Sequence, residues 1–335
     1  MSSAPSADAI WKDSRWLGQA LDPPKGLVRF VAMDGQAYRA ASFLDDRMLA
    51  GGVDAHLLAW REVEEAQPAD ARRDARWIFH IGHVGSTLVA RLLGEIDGVL
   101  AVREPRILRD LTYFPAETRS AFIPGVQALL SRTFAAEQAA LVKATSVVSE
   151  IAAELVPPGE RALLLTAAPR SYIATILAGE NSRQELATLA DLRARRMAGR
   201  VEGLDGGASD AHRAAAAWAC EMTALEAAAD AMSDRRLLWA DFDRLLDDIS
   251  GGLARIADSF GFDAPAGRLA EIAAGPLMSR YSKALEHDYS PGLRRELLAQ
   301  ADRDHHADID SALAMLERAA EKSPLLARAL QRAKD

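Results

Sequence analysis

The sequence predicts an α/β fold: a doubly wound parallel sheet flanked by helices, with a small N-terminal extension and a helical C-terminal region. Three observations predict it. Short apolar runs alternate with helix-period segments through the middle of the chain, the pattern of successive strand–helix–strand units. The first of these runs ends in glycine and passes through Gly82–Thr87 into an amphipathic helix. The final stretch shows only helical spacing. The divisions read from these shifts are residues 1–70 for the extension, 71–265 for the core and 266–335 for the C-terminal region.

Within residues 1–70 a short helical piece ends at Pro23-Pro24. Gly26 to Met33 (GLVRFVAM) has strand composition, and Gln36 to Phe43 is expected to pair with it. Asp45 to Leu49 and Ala55 to Glu65 have helical character, and Gln67-Pro68 to Asp74 is a polar connector. In the core, Arg76 to Ile81 is the first apolar run and Ser86 to Ile96 the helix after it. Val99 to Val102 is the second run, followed by helical character over Glu117 to Glu137 with a break at Pro124-Gly125. Ala140 to Val142 begins the third strand, and Ser146 to Leu155 is its helix. Pro157-Pro158-Gly159 is a turn, and Ala162 to Thr166 is the fourth strand. Two or three helices cover Ser171 to Met232. Arg236 to Ala240 is the fifth strand and Ile249 to Phe260 its helix. Leu293 to Ala301 and Asp308 to Glu321 carry the helical spacing of the C-terminal region. Trp218 and Trp239 lie in apolar stretches and read as core.

A chain of 335 residues with 49% apolar residues has material for a sizeable core. Its net charge of −8 sets aside a dedicated nucleic-acid binder, whose affinity comes from neutralising phosphates. A small basic pocket for one anion remains compatible with that charge. The single cysteine, Cys220, precludes an intramolecular disulfide and reads as a packed thiol in the Ala-rich helix Ala214 to Ala231. Met1 to Lys12 lacks a basic segment followed by an apolar run. No apolar stretch reaches the ~20 residues of a membrane-spanning helix, so a cytoplasmic protein without a membrane partner is expected. The sequence sets no oligomeric state.

The informative segment is Ile78 to Leu93, in which a strand runs into Gly82, then Gly85-Ser86-Thr87, then a helix. The first turn of a helix leaves backbone N–H groups without partners, and its macrodipole adds partial positive charge. Glycines admit an anion close to the backbone, and two hydroxyls add donors. The position after a parallel strand is where such sheets bind ligands. The loop does not meet the nucleotide-hydrolase pattern G-x-x-x-x-G-K-[ST], because its glycines are too close and no lysine precedes Ser86.

This segment resembles the phosphosulfate-binding loop of the sulfotransferases, Arg-Ser-Gly-[Ser/Thr]-Thr-Leu before a helix. Here His83-Val84-Gly85-Ser86-Thr87-Leu88 stands in that place. Glu104-Pro105 after the second strand, Lys143 after the third, and Ala168-Pro169-Arg170-Ser171 through Thr175 after the fourth extend the resemblance. So does Leu238 to Asp243, with the helix ending Ser259-Phe260-Gly261-Phe262. It spans roughly residues 75–263. The resemblance implies a P-loop-type fold. It also implies transfer of a sulfonate from 3′-phosphoadenosine 5′-phosphosulfate (PAPS) to a hydroxyl or amine of an acceptor, either a small molecule or a peptide. Gly82, His83, Val84, Gly85, Ser86 and Thr87 would then hold the 5′-phosphosulfate. Two family positions differ: the loop arginine or lysine is His83, and the arginine that grips the 3′-phosphate is Ala167. Thr175, Arg170, Arg280 and Lys283 are the candidates for that phosphate.

The expected catalytic residues are Glu104 as general base, His83 as a cation facing the leaving group, and Lys143 as a contact to phosphate or sulfonate. His80, alternating on its strand, reads as a core or supporting residue. No metal is expected: Asp302 and His306 have ligand spacing, but their segment reads as a solvated charged helix face. The same loop is also compatible with a kinase-like transferase, for which the loss at Ala167 is no handicap. A non-catalytic descendant that binds a partner through its C-terminal helices is the third class.

Overall fold

The computed structural model describes residues 4–204, 207, 209–279 and 290–334. The N-terminal region forms a three-stranded antiparallel sheet of β1 (Trp16–Asp22), β2 (Leu27–Ala32) and β3 (Ala55–Ala59), in that order. This corrects three expectations. The short helical piece before Pro23 is confined to Ala7–Lys12, and strand β1 stands between it and the proline. Leu17 to Leu21 are buried throughout, because helices Arg106–Thr112 and Ile123–Leu130 cover the strand. A Cβ on Gly18 would lie 3.4 Å from Leu129 and 3.7 Å from Ile107. With both faces covered, the alternation that marks a strand disappears. Gln36 to Phe43 is not the partner of β2. Gly35–Ala40 is a helix, started by Asp34, whose carboxylate accepts the Ala37 N–H at 2.7 Å. Ala55 to Glu65 divides into β3 and a helix from Trp60.

The second sheet is parallel and has five strands in the order β5-β6-β4-β7-β8. They are β4 (Arg76–His80), β5 (Val99–Arg103), β6 (Ala139–Lys143), β7 (Arg161–Thr166) and β8 (Arg236–Asp241). Each lies within one residue of its apolar run. Helices on both faces explain why those runs are continuous rather than alternating. The remaining corrections are local. The stretch Glu117 to Glu137 holds two short helices, with Pro124 near the start of the second. Ser146–Ile151 is a 3-10 helix, and four helices lie between Pro169 and Ala231.

The order of the strands determines where a ligand fits. The chain leaves β4 in one direction toward β5, and leaves β6 in the other toward β7. Right-handed crossovers running in opposite directions cover opposite faces. The loops after β4 and β6 therefore diverge, and a crevice opens between the carboxyl ends of these paired strands. The C-terminal helices Pro291–Asp304, His306–Ala320 and Pro324–Arg332 pack on the long helix Asp210–Ala231 and on Pro169–Leu177. One buried apolar cluster takes in residues of all three regions, from Ile10 and Phe30 through β4 to Leu326. No described helix is long and apolar enough to cross a membrane.

Candidate active site

A cavity of about 670 Å³ occupies that crevice, a size suited to a small molecule. The loop after β4 forms its floor. Gly82, His83 and Gly85 have φ of 78°, 52° and 60°, a run of left-handed residues that turns backbone N–H groups together. Both glycines lead the chain where a side chain strains it, and at Gly85 space forbids one as well. A Cβ there would stand 1.9 Å from the Phe242 ring. The helix Ser86–Leu93 starts without any side-chain cap. Gly82, His83, Gly85, Ser86 and Thr87 all line the cavity, so the positive end of the helix opens on it. Val84 is fully buried and turns into the core.

His80 braces the loop. The Gly82 N–H donates to its Nδ1 at 2.9 Å, so its Nε2 carries the proton and donates to the Ala144 carbonyl at 2.9 Å. One buried imidazole thus ties together the loops after β4 and β6. His83 faces the cavity instead, with Nδ1 3.4 Å from Ser182 Oγ and Nε2 3.5 Å from Glu185 Oε1.

On the β5–β6 side, three groups from different elements converge. Glu104 directly follows β5 and has a φ of 53°, a conformation costly for a residue with a side chain. Its N–H donates to the Lys143 carbonyl at 2.7 Å. Lys143 Nζ, from the end of β6, donates to Glu104 Oε1 and lies 3.4 Å from Thr87 Oγ1. The lysine is 1% exposed and the glutamate 8%. Arg47 Nη2 approaches Glu104 Oε2 to 3.5 Å from the solvent side. The Arg47 guanidinium lies 3.4 Å from the Phe43 ring centre and hydrogen-bonds both oxygens of Asp45. Burial works to raise the Asp45 carboxyl pKa, but those bonds outweigh it and hold the value below the ordinary one.

On the β7–β8 side, Thr175 and Arg294 line the same cavity. Arg294 Nη2 lies 3.4 Å from Thr175 Oγ1, and its Nη1 pairs with Asp243. Arg170 is directed elsewhere. It bonds Asp302 at 2.6 Å and also Asp310, fastening Pro169–Leu177 to the C-terminal helices. Ala167 is buried, and its carbonyl accepts from Trp218 Nε1 at 2.9 Å. Arg280 and Lys283 lie outside the described residues.

The cavity also holds Arg47, Arg109, Phe242 and Arg294, none of which the sequence singled out. Arg294 carries no local signal, being one of two adjacent arginines on an amphipathic helix, and only packing against Pro169–Leu177 selects it. His306 is 63% exposed beside Asp302 and Asp310, whose carboxylates serve Arg170. Among the described residues no cluster of metal-ligating side chains forms. Cys220 is buried, and burial, followed by the Glu221 charge, pushes its thiol pKa up to about 12.

No protein-family profile and no curated protein matches the chain. Solved structures that resemble it include three sulfotransferases. The sulfotransferase domain from the curacin biosynthetic pathway is 12% identical, with a TM-score of 0.40, over 68% of this chain and 89% of that one. The mouse sulfotransferase SULT7A1 complexed with PAP is 11% identical, with a TM-score of 0.41, over 78% and 90%. The sulfotransferase domain of the Synechococcus PCC 7002 olefin synthase is 16% identical, with a TM-score of 0.39, over 69% and 90%.

Proposed function

We propose that the chain is a sulfotransferase-like enzyme that moves a sulfonate from PAPS to a hydroxyl or amine. The observation that carries this reading is the meeting of Glu104, Lys143 and Thr87 at the glycine loop, inside the cavity that also holds Thr175 and Arg294. Features at both ends of the cavity support this donor. The uncapped helix start and the Gly85 turn, which a Cβ would fill, accept a 5′-phosphosulfate. Arg294 and Thr175 would meet a 3′-phosphate, with Arg294 supplying a guanidinium in place of the one missing at Ala167.

When bound, the donor supplies the sulfonate and departs as 3′-phosphoadenosine 5′-phosphate (PAP). The acceptor oxygen or nitrogen forms a bond to sulfur while the bond from sulfur to the bridging oxygen breaks, its electron pair staying with PAP. Glu104 receives the acceptor's proton. Lys143, Thr87 and the helix N–H groups stabilise the charge that gathers on the leaving oxygen. His83, oriented by Ser182 and Glu185, faces the same charge. The kinase-like alternative has less support, since no lysine precedes Ser86 and ATP has no 3′-phosphate for Arg294.

The test is thermal stabilisation by PAP, with ATP, AMP and sulfate as controls. A ligand held at ~100 times its dissociation constant stabilises by about 2.7 kcal/mol. A shift selective for PAP supports the reading. A shift with ATP alone favours a kinase-like enzyme, and no shift with any nucleotide overturns both.

A further inference from the structure

The wall of the cavity nearest Glu104 carries more cations than its carboxylates balance. Asp46 is shared by three guanidiniums. Arg29 Nη2 lies at 2.8 Å from Oδ1, Arg106 donates to Oδ2, and Arg109 Nη2 stands 3.7 Å from Oδ2. Arg106 has a second partner in Asp110 at 3.0 Å. Asp110 also accepts the Leu21 N–H, and Arg29 also donates to Gln19 Oε1. Arg109 has no other ion pair among the described residues. The group thus holds three guanidiniums against two carboxylates. Beside it, Arg47 and Lys143 balance Asp45 and Glu104. The surplus positive charge falls on Arg109, which lines the cavity. Arg109 and Arg47 are 33% and 56% exposed in their side chains, so a ligand can reach both. In a chain of net charge −8, this local excess is set against the general field of the molecule.

We propose that the acceptor carries an oxyanion, held by Arg109 and Arg47, that places its hydroxyl or amine at Glu104. Arg47 stands 3.5 Å from Glu104 Oε2, so a group a few bonds from an oxyanion on Arg47 comes within reach of the base. Planar guanidiniums bind carboxylate and phosphate through two parallel hydrogen bonds, and either oxyanion meets this requirement. The placement of the reacting group rests on the transferase reading, whereas the oxyanion subsite does not.

The experiment is calorimetric titration of the full chain, with and without PAP, using three probes of one shape: 4-hydroxyphenylacetate, its methyl ester and 4-hydroxyphenyl phosphate. We expect the acid, the phosphate or both to bind at least tenfold more tightly than the ester, and more weakly as salt rises. Arg109→Gln should weaken the anionic probes about tenfold and leave the ester unchanged. Asp46→Asn should act in the opposite direction and tighten the anionic probes, which loss of folding cannot imitate. Preference for carboxylate over phosphate, or the reverse, identifies the oxyanion. An ester bound as tightly as both the acid and the phosphate, no binding of any probe, or Arg109→Gln affinities equal to those of the parent overturn the proposal. Oxyanion selectivity in a protein that does not bind PAP retains the subsite and removes the transferase reading.

Discussion

At Gly85 two constraints coincide, a φ of 60° and a Phe242 ring 1.9 Å from where a Cβ would stand. Gly85→Ala is expected to destabilise by about 1–3 kcal/mol from overpacking alone, with further strain from φ, and to abolish PAP binding in a melting assay. Combining it with Phe242→Ala should recover part of the stability, because the clash is gone while the strained φ remains. Full recovery in the double variant would show that φ costs nothing. Glu104 is the second residue whose backbone departs from the ordinary. A glutamate held at a φ of 53° has its side chain aimed by the loop rather than by its own preference. Glu104→Gln keeps an oxygen for the Lys143 ammonium but cannot take up a proton as a carboxylate does. PAP affinity should stay within a few-fold, and turnover should fall by about 10²–10⁴. Wild-type turnover in this variant would remove Glu104 as the base.

At the scale of the element, the helix Pro291–Asp304 closes the β7–β8 side of the cavity while burying little of itself, with Ala301 its one buried residue. It is fastened largely by charge, through Arg294 to Asp243 and through Asp302 to Arg170. Both arginines fasten the helix, but only Arg294 also lines the cavity. Arg294→Ala should weaken PAP about tenfold or more, the loss of a charge-assisted bond. It should leave adenosine 5′-phosphosulfate, which lacks the 3′-phosphate, nearly unaffected. Arg170→Ala should lower stability and weaken both ligands alike. A 3′-phosphate-specific loss in Arg170→Ala, with none in Arg294→Ala, would reverse these assignments.

Across the whole molecule, a line of ion pairs runs from the cavity into the helical layer. His83 meets Glu185, Glu185 meets Arg193 at 3.5 Å, and Arg193 meets Glu221 at 3.7 Å. Glu221 binds Arg196 through two bonds of 2.7 and 2.8 Å, and Arg196 and Arg200 both reach Glu150. Glu221 is 1% exposed. Burial acts to lower the Arg196 pKa, but the Glu221 hydrogen bonds overcome it, so the net direction is upward. Removing one partner of a buried pair leaves an uncompensated charge, which costs about 3–5 kcal/mol. Glu221→Leu should therefore destabilise the protein by that amount in chemical denaturation. A loss below 1 kcal/mol would mean that water or Glu150 takes over the arginines.

The sequence by itself determined the parallel sheet and the loop. A strand buried on both faces is mostly apolar, and a turn at φ of 60° beneath an aromatic ring must be glycine, so β4 to β7 and Gly82–Thr87 are written locally, while the half-buried edge strand β8 is marked by its apolar run alone. Glu104, Lys143 and Thr175 were legible because each follows a strand whose carboxyl end lies at the crevice. The N-terminal sheet was not legible, because β1 loses its alternation under helices that only the folded chain brings over it. Nor was the choice between Arg170 and Arg294. Both are arginines on helices, and what separates them is a contact between Arg294 and Thr175, 119 residues apart. The destination of a long charged side chain depends on which distant segment packs beside it, and that is decided by tertiary structure alone.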